Sequence, residues 1–419
     1  MKTKILIPLL LLLTVGAAAQ TSKKEIYKDI NRSGSTYFAY PGPRQQTLTP
    51  APAGYKPFYI SHYGRHGSRY MTSNRYYDYA VPKLDTAAML GILKPKGLEV
   101  LEKLHVAFDD AQNRAGDLTA LGGRQHREIA HRMYDRFPEY LSQPLYVDAR
   151  SSVVGRCIIS MFNFCQELQG LNPELIIHMD ASRGDMPFVV ANESIELETA
   201  PQTANYKERV TRIREKAHTS KRLMKLLFTD VAKAEEFIDC QRLMRCLNHV
   251  AHDMQSLPEL NIYLLDIFTK EELFNMFTAD NAGWLVSTGL VPGSTPTYLQ
   301  QKEVRDSIAS FADRVIASGE PTLSLRFSHD SSVLPLAYLM GLREAMGATP
   351  DIENLYKRIS TDKIIPMAAN IQLIFYRKDG SDDILVKFLL NENETSIPVG
   401  TDVAPYYHWK DVKRYWESR

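Results

Sequence analysis

The chain lacks net charge. Lys and Arg total 50 against 49 Asp and Glu in 419 residues. That balance excludes a global field for capturing nucleic acid or an acidic membrane, so any basic character must be local. Cysteine is also scarce: Cys157, Cys165, Cys240 and Cys246, with no CxxC pair. Histidine is scattered, so no structural metal is expected. Cysteine spacings of eight and six inside helix-like segments are poor for local bridging, which leaves a disulfide between the two clusters as the open alternative. Past the N-terminus no apolar run approaches a membrane span. There is no internal repeat and no low-complexity tract. What is present, 44% hydrophobic and 24% charged residues, is the composition of a soluble globular protein of one large domain or two packed ones.

The N-terminus differs in kind. MKTK supplies positive charge, ILIPLLLLLTVG an apolar run, and AAA precedes Gln20. This reads as a signal peptide over residues 1–19, cleaved after Ala19. The run is short for a membrane anchor, and no cysteine stands at the cleavage point for lipid attachment. The expectation is an exported protein, periplasmic or secreted.

Residues 20–55 read as an extended, loop-rich lead-in, broken by PGPR and TPAPAGYKP. KPFYIS is a short strand of β-formers, and residues 76–112 are helix-rich. LTALGGRQHREIAHRMYDRFPEYL opens on a Thr cap and continues as an amphipathic helix that Pro138 ends. LYVDARSS and LIIHMD read as strands around the helix VVGRCIISMFNFCQELQGL. From about 190 to 315 the patterns are almost all helical. Strand signals return with TLSLRFSHD, NIQLIFYRK and DILVKFLLN, the last two joined around Asp379-Gly380. The expected architecture is α/β. Its core takes residues 20–75, 116–190 and 316–419, and a mainly α-helical cap takes 76–115 and 191–315.

Chemistry concentrates in YISHYGRHGSRY, residues 59–70. A strand delivers Arg65, His66 and Arg69 to a turn made permissive by Gly64 and Gly67. Two guanidinium forks suit phosphate oxygens, and a neutral imidazole between them can attack phosphorus. A surface turn of solvated charges competes with that reading. FSHD likewise ends a strand that enters a helix, which puts His329 and Asp330 at another carboxyl edge beside a helix N-terminus. There Asp330 could protonate a leaving alkoxide, although it or Ser331 could simply cap the helix. ARSSVVGRCIIS supplies Arg150 and Arg156, either of which reads equally as an exposed arginine. His62 reads as structural rather than as a ligand, with Tyr63 beside it. His126 and His131 read as surface or packing residues. His249 and His252 stand at helical spacing without carboxylate support for a metal.

Taken together, RHGSR, a middle Arg and a late HD resemble the histidine acid phosphatases, the family that includes phytases. RHGSRYMT, SSVVGRCIIS, LTALGGRQH and LLNENETSIP are similar to elements of its multiple inositol polyphosphate phosphatase branch, in order and along nearly the whole mature chain. The resemblance implies His66 as nucleophile, Asp330 as proton donor, and Arg65, Arg69, Arg156 and His329 as phosphate ligands. It also implies a doubly wound mixed α/β sheet flanked by helices, with a mainly α-helical cap over the site. His329-Asp330-Ser331 departs from the His-Ala-Glu of that branch and matches other phytases and acid phosphatases. The implied substrate is a small phosphorylated molecule, inositol polyphosphate before a simple ester or sugar phosphate, with no metal or organic cofactor. Lys56, Arg75, Lys207 and Arg212 are candidate contacts for further phosphates. A non-catalytic anion-binding protein is the alternative from another class.

Overall fold

The structure, a computed structural model, describes residues 22–419. The expected signal peptide lies outside the described residues. Eight strands form one mixed sheet: β1 (Tyr55–Arg65), β2 (Tyr146–Ser151), β3 (Ile176–Asp180), β4 (Thr322–Ser328), β5 (Asn370–Lys378), β6 (Leu385–Leu390), β7 (Asn393–Thr395) and β8 (Tyr406–His408). The order is β3-β2-β4-β1-β5-β6-β7, with β8 also on β6. The first four strands in that order run parallel and the rest antiparallel.

Period-2 patterning explains how the sheet is covered. Leu323, Leu325 and Phe327 of β4 share one face with Ile60, Val147 and Ala149, and the helices Ala120–Arg136 and Gly155–Leu171 bury it. Tyr59 and Tyr63 of β1 join Ile371, Leu373 and Phe375 of β5 on the other face. The helices Lys302–Ser318, Asp330–Met340 and Trp409–Glu417 pack there. A separate apolar cluster unites the helices Arg75–Met89 and Pro95–Ala111 with Lys221–Leu227 and Cys240–Asp253. Two stretches far apart in sequence thus close over one helical core.

Several sequence expectations change. The lead-in is not loop throughout: Ser22–Lys28 is α-helical and Ile30–Tyr37 is 3-10 helix, opened by Asp29, whose side chain accepts from the Asn31 amide. The strand begun at Tyr55 is not short. It continues through His62 and Gly64 to Arg65, because β4 and β5 pair it on both sides along that length. The β5–β6 connection spans residues 379–384, longer than a tight hairpin, with Gly380 at φ 71°. All four cysteines are free, so the inter-cluster disulfide does not form. By contrast, Thr119 caps the helix Ala120–Arg136 through the Gly122 amide, and that helix stops before Pro138 as its sequence requires.

Candidate active site

Register places the site. Parallel pairing sets Arg65 of β1 opposite Ser328 of β4, so His66 and His329 leave the sheet side by side at its carboxyl edge. Their rings lie 5.6 Å apart. β2 ends level with them, because Ser151 pairs with Phe327. The turn after β1 is pinned at each residue. The His66 amide donates to the Ser328 carbonyl, Gly67 N–H to Ser160 Oγ, and Ser68 N–H to Gln125 Oε1. A β-carbon on Gly67 would collide with the Gly122 carbonyl, so the close approach of turn and helix requires glycine on both sides. That contact gives the Gly and Gln of LTALGGRQH a physical role.

His66 is buried, and its Nδ1 lies 2.9 Å from the Gly67 carbonyl. A carbonyl only accepts, so Nδ1 carries the proton and Nε2 keeps its lone pair. Burial, reinforced by Arg65, Arg69 and Arg156, holds the imidazole well below its ordinary pKa and therefore neutral.

Each arginine is held by its non-reacting side. Arg65 is fully buried. Its Nη1 donates to the Thr36 carbonyl at 2.7 Å and the Ile365 carbonyl at 2.8 Å, and its Nη2 meets Asp330 Oδ2 at 2.7 Å. Burial lowers its pKa to about 10, and it remains a cation. Arg69 donates to the Tyr70 carbonyl and lies over the Tyr37 ring at 5.3 Å. Arg156 reaches the Gly116 carbonyl and His329 Nδ1, both at 3.5 Å. Because an arginine only donates, His329 Nδ1 accepts, and its Nε2–H is left to donate to Ser152 Oγ at 3.1 Å. Burial and Arg156 lower His329 to about 4.

His329 is itself the N-cap residue of the helix Asp330–Met340, without a side-chain cap bond. Neither Asp330 nor Ser331 caps it. Asp330 instead accepts from the Ser331 amide and turns toward Arg65. Burial pushes its carboxyl upward, but Arg65 and Arg69 outweigh that and hold it below the ordinary range.

The structure therefore brings Arg65, His66, Arg69, Arg156, His329 and Asp330 together. Arg150 stays outside, bound to Asp148 and Asp185. His62 packs on Phe164 and Phe327, and His126 packs on Phe327. His131 is exposed beside Glu167. His249 stacks on Tyr76 at 4.2 Å, and His252 faces Ser33 and Gln255.

The four candidate outer cations separate. Lys56 lies at the start of β1, next to Tyr55 and about 30 Å of extended chain from His66, and cannot share a substrate with it. Arg212 lines a cavity of about 410 Å³ with Arg209 and Lys216. Lys207 lines another with Trp284. Neither cavity includes any of the six residues. Arg75 alone stands near the cluster: it lies over Tyr76, which reaches Tyr37 through the shared ring of His249. The sequence reading did not single out Tyr37, Ser152 or the backbone carbonyls of Thr36 and Ile365. Ser152 carried a signal, as part of the serine pair in SSVVGRC.

No family model and no curated protein matches the chain. Solved structures do. One is a multiple inositol polyphosphate phosphatase from Bifidobacterium longum, solved as a complex with inositol hexasulfate. It is similar at TM-score 0.72 and 19% identity, over 91% of this chain and 97% of that one. A phytase from D. castellii gives TM-score 0.69 at 16% identity, over 93% and 85%. A Hafnia alvei phytase gives 0.55 at 14%, over 88% and 98%. With its mixed sheet, flanking helices and histidine-bearing carboxyl edge, the chain has the fold of the inositol polyphosphate phosphatases and phytases.

Proposed function

We propose that the protein is a phosphoric monoester hydrolase that works through a phosphohistidine, with an inositol polyphosphate as substrate. One observation carries the reading. A neutral histidine whose Nδ1–H is fixed on a carbonyl presents Nε2 inside three arginines. In the first step Nε2 forms a bond to phosphorus while the ester P–O bond breaks. Arg65, Arg69 and Arg156 face the charge spread over the phosphoryl oxygens, and His329, its Nε2–H on Ser152, steadies Arg156 through Nδ1. The leaving alkoxide takes the proton of Asp330. Asp330 is ionised beside Arg65, but a phosphate dianion seated among the same arginines cancels the field that holds it so. The acid form then becomes available with substrate bound. In the second step water attacks the phosphohistidine, Asp330 takes its proton, and inorganic phosphate leaves.

The choice of an inositol polyphosphate is supported by the fold it shares with the Bifidobacterium enzyme. The sequence favours an exported enzyme, and no helix among the described residues is long and apolar enough to cross a membrane. N-terminal sequencing of protein recovered outside the cytoplasm should begin at Gln20.

The test of the activity is phosphate release from phytate and from simple esters. His66→Ala should lower the rate at least about a thousandfold while retaining phosphate binding. An unchanged rate would leave an anion-binding protein as the surviving alternative. An acid-labile, base-stable phosphoprotein should be trapped by rapid quenching of the wild type.

A further inference from the structure

Asp253 ends the helix Cys240–Asp253, on the face that buries Leu243, Leu247 and Val250, and is itself 1% exposed. A carboxylate is out of place there. It sits in low dielectric and at the negative end of the helix dipole, both of which penalise the ionised form. Its Oδ2 accepts the Met71 amide at 3.2 Å, two residues past Arg69, and its Oδ1 is buried without a partner.

The groups around it are neutral with one exception. Tyr37, from the 3-10 helix Ile30–Tyr37, and Tyr77, from the helix Arg75–Met89, are phenols displaced upward by burial. His249 and His252, on its own helix, are imidazoles that burial holds near 3. The exception is Arg69, whose charge reaches Asp253 from the turn after β1.

We propose that Asp253 is a positioning residue of the phosphate site. It holds the Arg69–Met71 segment through the Met71 amide, and by gaining or losing a proton it sets how strongly the arginines bind a dianion. The proposal rests on the phosphatase reading. Arg65, Arg69 and Arg156 against Asp330 leave two positive charges in excess, matched to a phosphate dianion. An ionised Asp253 removes one of them. Anion binding and protonation of Asp253 therefore favour each other, reciprocally. Burial pushes Asp253 up to about 7 while Arg69 pulls the other way, so the exchange falls near neutral pH.

Sulfate is the probe, because it stays a dianion where phosphate titrates. Calorimetry on the full chain should show sulfate affinity falling about fivefold or more from about pH 6 to about pH 8. Near pH 7, in buffers of differing ionisation enthalpy, binding should take up part of a proton. Asp253→Asn should bind sulfate at both values with nearly the wild type's low-pH affinity and take up less proton than the wild type, only what Asp330 accepts. A wild-type affinity that does not change with pH overturns the proposal even if the variant does not fold. So does an Asp253→Asn variant that keeps the wild-type slope, or a wild type that binds no sulfate. Hydrolysis of an aryl phosphate, assayed in parallel, tells whether the phosphatase reading fails with it.

Discussion

Arg65 and Asp330 meet at 2.7 Å across the carboxyl edge of the sheet, one at the end of β1 and the other at the start of the helix that follows β4. The pair keeps the acid charged until an anion takes its place on the guanidinium. Asp330→Asn, which cannot supply a proton, should slow alkyl phosphates about a hundredfold or more. Aryl phosphates, whose leaving groups need little protonation, should slow far less. Steady-state rates on a phenyl and an alkyl ester read this directly. Equal slowing would remove Asp330 from the role of general acid.

Gly67→Ala forces a β-carbon into the Gly122 carbonyl. Neither partner is a side chain that can swing away, so turn and helix must separate. A loss of about 1–3 kcal/mol of stability is expected. Activity should fall by more than that destabilisation explains, because His66 is displaced. Urea unfolding and the rate at a temperature where the variant is folded give the two numbers.

Ser152→Ala removes the acceptor for the His329 Nε2–H. The imidazole keeps Arg156 on its other nitrogen but loses its orientation. A cost of about 1–2 kcal/mol in transition-state binding corresponds to a fall of about five- to thirtyfold in kcat/KM. Thermal melting should change little.

His62, His126, His249 and His252 are each held near 3 by burial. Their ordinary value is 6.5, so below it the unfolded chain takes up protons that the folded one refuses. The stabilisation they carry is complete above 6.5 and is lost as pH falls toward 3, at about 1.4 kcal/mol per histidine and pH unit. Asp253 and Asp280, displaced upward to about 7 and 6, act in the opposite direction. The depressed histidines, His66 and His329 among them, outnumber the raised acids and make the protein acid-labile. Acid unfolding followed by circular dichroism should show a lower midpoint pH for His126→Phe, since that buried ring packs edge-on against Phe327 and a phenyl takes up no proton.

The strands were legible because β-formers at period 2 end in residues that strands cannot waste, as in RHGSR and FSHD. Leu323, Leu325 and Phe327 announced their shared face. His66 and His329 stood out for the same reason, at strand ends beside glycine or a helix start. Arg156 and Arg150 could not be told apart on spacing, and only the ion pairs of Arg150 with Asp148 and Asp185 separate them. The clamp on Arg65 had no signature at all, since backbone carbonyls are the same in every residue. Tyr37 was hidden in a lead-in that later proline and glycine made look like loop. Asp253 carried no signal, because a sequence does not say which side of a helix end is buried.

The clamp on Arg65 also bears on the order of events during synthesis. Its two carbonyls come from Thr36, which leaves the ribosome before His66, and from Ile365, which leaves after nearly all the rest. A nascent chain therefore carries an exposed histidine and loose arginines for most of its translation without the geometry to use them. Catalytic competence should arrive late and all at once, and recovered activity in refolding would then mark closure of the whole molecule rather than of any part.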